Sequence, residues 1–201
     1  MKVDGWPDRG TIVFTDFKCR YRKNLDLVLR GLTVTFTGGH KIGVVGRTGS
    51  GKSTIMMCLL RILEAAEGKI VLDGKDISAL SLDDLRSKIT IILQDPCLFA
   101  GTIREETMES RKGLNTEISE NGENLSVGER QLVSIARAIL KPTKIVLVDE
   151  ATANIDVRTE SVIYRAMNES FKNSTVITVA HRLNTVINSD RILVLEGGLL
   201  K

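Results

Sequence analysis

The sequence predicts an α/β fold: a mainly parallel sheet, an antiparallel β part on its N-terminal side, and a shortened α-helical region. Three observations lead there. Short apolar runs rich in β-branched residues alternate with helical patterns over most of the chain. The first third carries strand patterns without a helix between them. A glycine-rich loop, GRTGSGKST at positions 46–54, falls between a strand pattern and a helix pattern.

Taken in order, TIVFTDF (11–17) and LTVTF (32–36) alternate apolar and polar residues, as half-buried strands do. HKIGVVG (40–46) is a short apolar run suited to a buried strand, and KSTIMMCLLRIL (52–63) is apolar on nearly all sides, as a helix packed against a sheet should be. LDGKDI (72–77) sets Asp-Gly between apolar pieces and predicts a turn. SLDDLRSK (81–88) opens with the capping pair Ser81 and Asp84 and predicts a short surface helix. ITIIL (89–93), KIVLV (144–148), STVITVA (174–180) and RILVLE (191–196) read as sheet strands. DVRTESVIYRAMNES (156–170) carries Val162, Ile163, Ala166 and Met167 at helical spacing. REETMESRKGLNTEI (104–118) is polar and has no clear apolar stripe.

The chain has 201 residues, 42% of them hydrophobic and 26% charged, which suits one domain with a full core. A net charge of +3 without a basic block gives no reason to expect nucleic acid as a partner. Cys19, Cys58 and Cys97 are scattered, which argues against a disulfide framework or a zinc site. Positions 1–10 show no secretory leader, and no apolar run approaches the ~18 residues that span a bilayer. A tie to a membrane is therefore expected only through a partner or through further chain.

Gly46-Arg-Thr-Gly-Ser-Gly51-Lys52-Ser53 matches G-x-x-x-x-G-K-[ST], the pattern of a P-loop NTPase core. Its glycines let successive N–H groups face one anion, and the helix start adds partial positive charge. Gly46, Thr48, Gly49, Ser50, Gly51, Lys52, Ser53 and Thr54 are the expected nucleotide contacts, with Lys52 on the β- and γ-phosphates and Ser53 on Mg²⁺. KIVLVDE ends in Asp149 and Glu150 at the carboxyl end of an apolar strand, where ligands of open α/β sheets gather. Asp149 suits a part in holding Mg²⁺, and Glu150 suits a general base polarising water.

NGENLSVGERQLVSIARAIL (121–140) repeats the theme of an anion-binding helix start. Ser126 and Glu129 form a capping box, and Leu132, Ile135, Ala136, Ile139 and Leu140 form an apolar stripe, so Ser126 and Gly128 belong to a first turn with free N–H groups. SxxE alone would mean no more than a well-capped helix. Its order, between a phosphate loop and an acidic strand end, is what matters.

LSVGERQ resembles the signature of ATP-binding cassette (ABC) proteins, usually written LSGGQ, and the likeness extends over almost the whole chain. The resemblance implies that Gln94 in LQDPCLF is the Q-loop glutamine that touches Mg²⁺ and senses the γ-phosphate. It implies that Asp156 in ATANID is the D-loop aspartate. His181 in VAHRLNT would be the switch histidine, and Tyr21 in CRYRKNLDLVLRGL the aromatic that stacks on adenine. By composition alone Tyr21 reads equally as a packing residue of an edge strand, and His181 as a capping or core histidine. WPDRGTIVF, YRKNLDLVLRGL and GENLSVGERQL resemble subfamily C, the multidrug-resistance-associated type; Glu150 with His181 resembles its second cassette.

For such a protein the resemblance implies ATP and Mg²⁺ as cofactors and ATP hydrolysis that powers export, by family analogy of organic anions or conjugates. It also implies a head-to-tail second cassette whose signature acts in trans through Ser126, Gly128 and Glu129. Transmembrane partner domains would hold the chain at the cytoplasmic face of a membrane. Positions 1–93 and 141–201 would form the catalytic core, and 94–140 the Q-loop, the reduced helical region and the signature helix. Only 31 positions separate Gln94 from Leu125, fewer than the family pattern has, and Val127 and Glu129 depart from the signature. A splice form, an incorrect gene model and a natural reduction would look alike. Those departures keep open a nucleotide-sensing module with little turnover. A DNA-maintenance ATPase head needs a long coiled coil between loop and signature; the 73 positions from Lys52 to Leu125 show no sustained heptads.

Overall fold

The computed structural model describes residues 5–102, 115–141, 143–149, 157–180 and 185–201, without the side chains of 157–162. The strands β1 (Ile12–Cys19), β2 (Leu29–Phe36), β4 (Glu67–Leu72) and β5 (Lys75–Asp76) form an antiparallel sheet in the order β2-β1-β4-β5. A bulge in β1 between Phe14 and Phe17, with Asp16 at φ 41°, resets the alternation. Phe14 and Phe17 therefore point to the same core although they are three residues apart. Their rings meet edge to face at 5.6 Å, and Phe14 meets Phe36 at 5.7 Å. The predicted Asp-Gly turn joins β4 to β5: Asp73 and Gly74 both have positive φ, as a two-residue hairpin turn requires. The Asp73 carboxylate accepts N–H bonds from Arg9, Gly10 and Thr11 at 2.7–2.9 Å and so pins the preceding segment.

The second sheet has six strands in the order β12-β11-β3-β10-β9-β6. In it β3 (Lys41–Gly46) is flanked by β10 (Thr175–Val179) and β11 (Arg191–Glu196), both parallel to it. β6 (Ile89–Ile92), β9 (Ile145–Asp149) and β12 (Leu199–Leu200) complete it. β3 and β10 carry the near-continuous apolar runs expected of parallel strands covered on both faces. The helix α1 (Lys52–Leu59) follows β3, and α2 (Leu82–Ser87) is capped by Ser81, whose side chain accepts from the Asp84 N–H as its sequence predicts.

The helix pattern over 52–63 overshoots. α1 stops at Leu59 because Arg61 takes a left-handed φ of 50°. Its guanidinium donates to the carbonyl oxygens of Ile77 and Leu80 at 3.1 and 2.7 Å and pairs with Glu64. A tertiary grip overrides a good helix former.

Two compact units divide the chain: residues 1–90, 143–147 and 173–201 form one, and 91–142 with 148–172 the other. The second holds the short hairpin β7 (Gly101–Thr102) and β8 (Glu117–Ile118), and the helices α3 (Val127–Leu140) and α4 (Val157–Ser170). Its small core packs Leu98, Ile118 and Val133, with Leu125 against them. In α4, Ile163 and Met167 are buried, as its spacing predicts.

Candidate functional site

In the first unit, β3 delivers the chain at Gly46, and the loop curls into α1 with Gly51 as N-cap at φ 103°. Gly46 is needed for close approach: a Cβ there would lie 2.3 Å from the Leu195 carbonyl oxygen. No side chain caps α1 and no acid occupies its first turn, so its leading N–H groups remain available to an anion. Lys52 is 5% exposed, and its Nζ donates to the carbonyl oxygens of Gly46 at 2.8 Å and Arg47 at 3.2 Å. The ammonium thus folds back over its own loop. Replacing those two neutral acceptors by phosphate oxygens would gain charge-assisted bonds. The Ser50 hydroxyl is buried with no hydrogen-bond partner among the described residues, a second polar group awaiting one.

Thr48 and Gly49 are exposed on the loop, and Ser53 is half-buried. Thr54 is buried, and its hydroxyl lies 3.2 Å from the Tyr21 hydroxyl, which fixes the half-exposed Tyr21 ring beside the first turn of α1. At the end of β9, Ile145 to Val148 are buried and Asp149 is half-buried. Glu150, Asp156 and His181 lie outside the described residues. The described residues contain no cluster of three His, Cys, Asp or Glu side chains able to enclose a metal. A hydroxyl such as Ser53 and a carboxylate such as Asp149 instead suit Mg²⁺, which keeps waters and phosphate oxygens in its shell.

In the second unit, Ser126 caps α3 with a complete capping box. Its hydroxyl accepts the Glu129 N–H at 3.2 Å, while Glu129 Oε2 accepts from the Ser126 N–H at 2.8 Å and from the Ser126 hydroxyl at 2.7 Å. Ser126, Val127 and Glu129 are exposed, and a Cβ at Gly128 would meet nothing within 4 Å. The turn opens to solvent. Arg130 braces it from behind, donating to the carbonyl oxygens of Gly122 at 3.3 Å and Leu125 at 2.9 Å.

The buried face of α3 differs from the apolar stripe its sequence suggests. Gln131, Val133, Ser134, Ile135 and Ala138 are buried, whereas Leu132, Ala136 and Ile139 are only partly covered and Leu140 is 62% exposed. The physical reason is Gln131. It is 1% exposed, and its amide donates to the backbone carbonyls of Leu93, at 3.3 Å, and Gln94. A stripe read from apolar residues alone does not include Gln131. The Gln94 side chain itself is exposed.

Cys58 on α1 and Cys19 on β1 approach to 3.4 Å between sulfurs, both buried. The hydrogen bond to Cys19, followed by burial, pushes the Cys58 thiol far above its ordinary range. Cys97 is exposed.

The comparison with known proteins decides the family: residues 29–153 match the family model described as "ABC transporter". The chain belongs to the ABC transporter family. This ATP-binding cassette is 46% identical to human ATP-binding cassette sub-family C member 3 over 98% of its own length and 14% of that protein's. It is 45% identical to rat sub-family C member 2 and 46% identical to multidrug resistance protein mrp-7 of Caenorhabditis elegans, over 96% of the chain in each case. Each of these relatives is thus covered over only 14% of its length. Among solved structures, a bacterial Atm1-family ABC exporter with ATP bound matches 96% of the cassette and 38% of that chain, at TM-score 0.88 and 35% identity. The alignment with mouse sub-family C member 3 runs over 221 positions against a chain of 201, so at least 221 − 201 = 20 positions have no counterpart in the cassette. Among the described residues no helix is long and apolar enough to cross a membrane.

Proposed function

We propose that the cassette binds Mg·ATP on the 46–54 loop and hydrolyses it as one of a head-to-tail pair, powering export through transmembrane partners at the cytoplasmic face of a membrane. One observation carries this reading: the buried Lys52 ammonium, held on the carbonyls of its own glycine loop, stands at an uncapped helix start. Lys52 with Gly46, Thr48, Gly49, Ser50, Gly51 and Thr54 would bind the phosphates, and Tyr21 the adenine. Ser53, Asp149 and Gln94 would hold Mg²⁺, which when bound neutralises developing phosphate charge. Glu150 would take the proton of the attacking water, with His181 and Asp156 completing the machinery.

The exposed Ser126–Gly128 turn favours action in trans, since a composite site needs a signature that a second copy can reach. The missing positions fit a reduction between Gln94 and Leu125, in the region that would meet the transmembrane partners.

Binding of a fluorescent ATP analogue tests the carrying observation. Lys52→Ala removes charge-assisted bonds worth about 1.5–3 kcal/mol each, so affinity should fall roughly 10- to 100-fold. Unchanged affinity would overturn the assignment. A second reading, a nucleotide sensor with little turnover, is favoured by the Glu129 carboxylate seated on Ser126. Binding without hydrolysis at any protein concentration would select it.

A further inference from the structure

A buried glutamine is an expensive choice for the interior of a helix. Gln131 is 1% exposed, and its Oε1 has no hydrogen-bond partner among the described residues. A leucine or methionine of similar size would fill the same space without stranding an acceptor. What only the amide can do is donate, and both carbonyls it reaches lie on the segment that carries Gln94. Six residues further along α3, Arg137 donates to the Cys97 carbonyl at 3.4 Å. The stretch 93–97 is therefore strapped to α3 by two side chains, while Gln94 keeps its own side chain free of the core.

Gln131 also sits five residues after the Ser126 cap. The helix start that would meet a partner's phosphates and the backbone that aims Gln94 are thereby joined through one and a half turns of helix, all within the second unit. We propose that Gln131 is a positioning residue: its amide sets the backbone at Gln94, so that the Mg²⁺-sensing side chain and the Ser126 turn keep a fixed register. This rests on the reading of Gln94 as a contact of the bound metal nucleotide. Losing the amide would leave the 46–54 loop able to hold the nucleotide and impair only what Gln94 adds when metal is present.

The test measures binding of a fluorescent ATP analogue with Mg²⁺ and with EDTA, for the full chain and for Gln131→Met, Gln94→Ala and the double variant. Gln131→Met should keep the metal-free affinity within about twofold and lose the Mg²⁺-dependent gain to the same extent as Gln94→Ala. The double variant should lose no more than either single one, the mark of two residues acting as one unit. Gln131→Asn, which stays polar but is one methylene short, should behave the same and covers the case in which Gln131→Met fails to fold. A full Mg²⁺ gain in Gln131→Met alongside its loss in Gln94→Ala overturns the proposal, as do additive losses or the failure of both Gln131 variants to fold. If Gln94→Ala itself retains the gain, the reading of Gln94 fails and the proposal with it.

Discussion

On the proposed reading, Glu129 would both build a site and oppose its use. Its carboxylate completes the cap of α3, accepting from the Ser126 N–H and hydroxyl. Those are the donors that a phosphate docking on this turn would need, so the carboxylate would compete with it. Two like charges about 4 Å apart in water repel by about 1 kcal/mol, so Glu129→Gln should raise the ATPase rate of paired cassettes roughly fivefold. A glutamine still accepts in a capping box, so the melting temperature should barely move. Steady-state ATPase assays check this, and an unchanged or lower rate would remove Glu129 as a brake. At this scale the loop residues 46–54 were legible because spacing and chemistry coincide in one short string. Gln131 was not legible, because its role comes from carbonyls 37 and 38 positions away.

The helix α3 depends on its first turn. Ser126→Ala removes the hydroxyl half of a reciprocal cap, leaving the backbone N–H of residue 126 on Glu129, and should cost about 1 kcal/mol of stability, read as a lower midpoint in denaturant. No change would mean that Glu129 and Arg130 hold the turn without the hydroxyl. α1 and β1 make a different prediction through their sulfurs. Cys19 and Cys58 are buried against each other; their hydrogen bond pushes the Cys58 thiol up and the Cys19 thiol down, but burial shields both sulfurs from reagent, so neither should react. A maleimide should label one thiol, Cys97, in the native chain and three after denaturation; more than one fast-labelling thiol would contradict the packing. Strand patterns located β1, β3, β9, β10 and β11 well: β3, β9 and β10 show as apolar runs, as strands covered on both faces do, and the antiparallel β1 as an alternation. Periodicity failed where tertiary bonds intervene: the bulge at Asp16, the left-handed Arg61 ending α1, and the buried amide of α3.

For the whole molecule, the proposed pairing would give both helix starts a role in one composite site. In a pair, Glu150→Gln should still bind ATP and accumulate an ATP-bound dimer visible by size-exclusion chromatography. Parental hydrolysis in that variant would take the base role away from Glu150. Gly128→Asp places a carboxylate in open space on the signature turn and should leave the fold intact. Lys52→Ala disables the loop of one copy, and Gly128→Asp the signature of the other. Mixing the two inactive variants and measuring ATP hydrolysis is the most direct test. Activity absent from each alone should appear on mixing, because one composite site per mixed pair is whole. A mixture as inactive as its components would contradict a triphosphate shared between two copies.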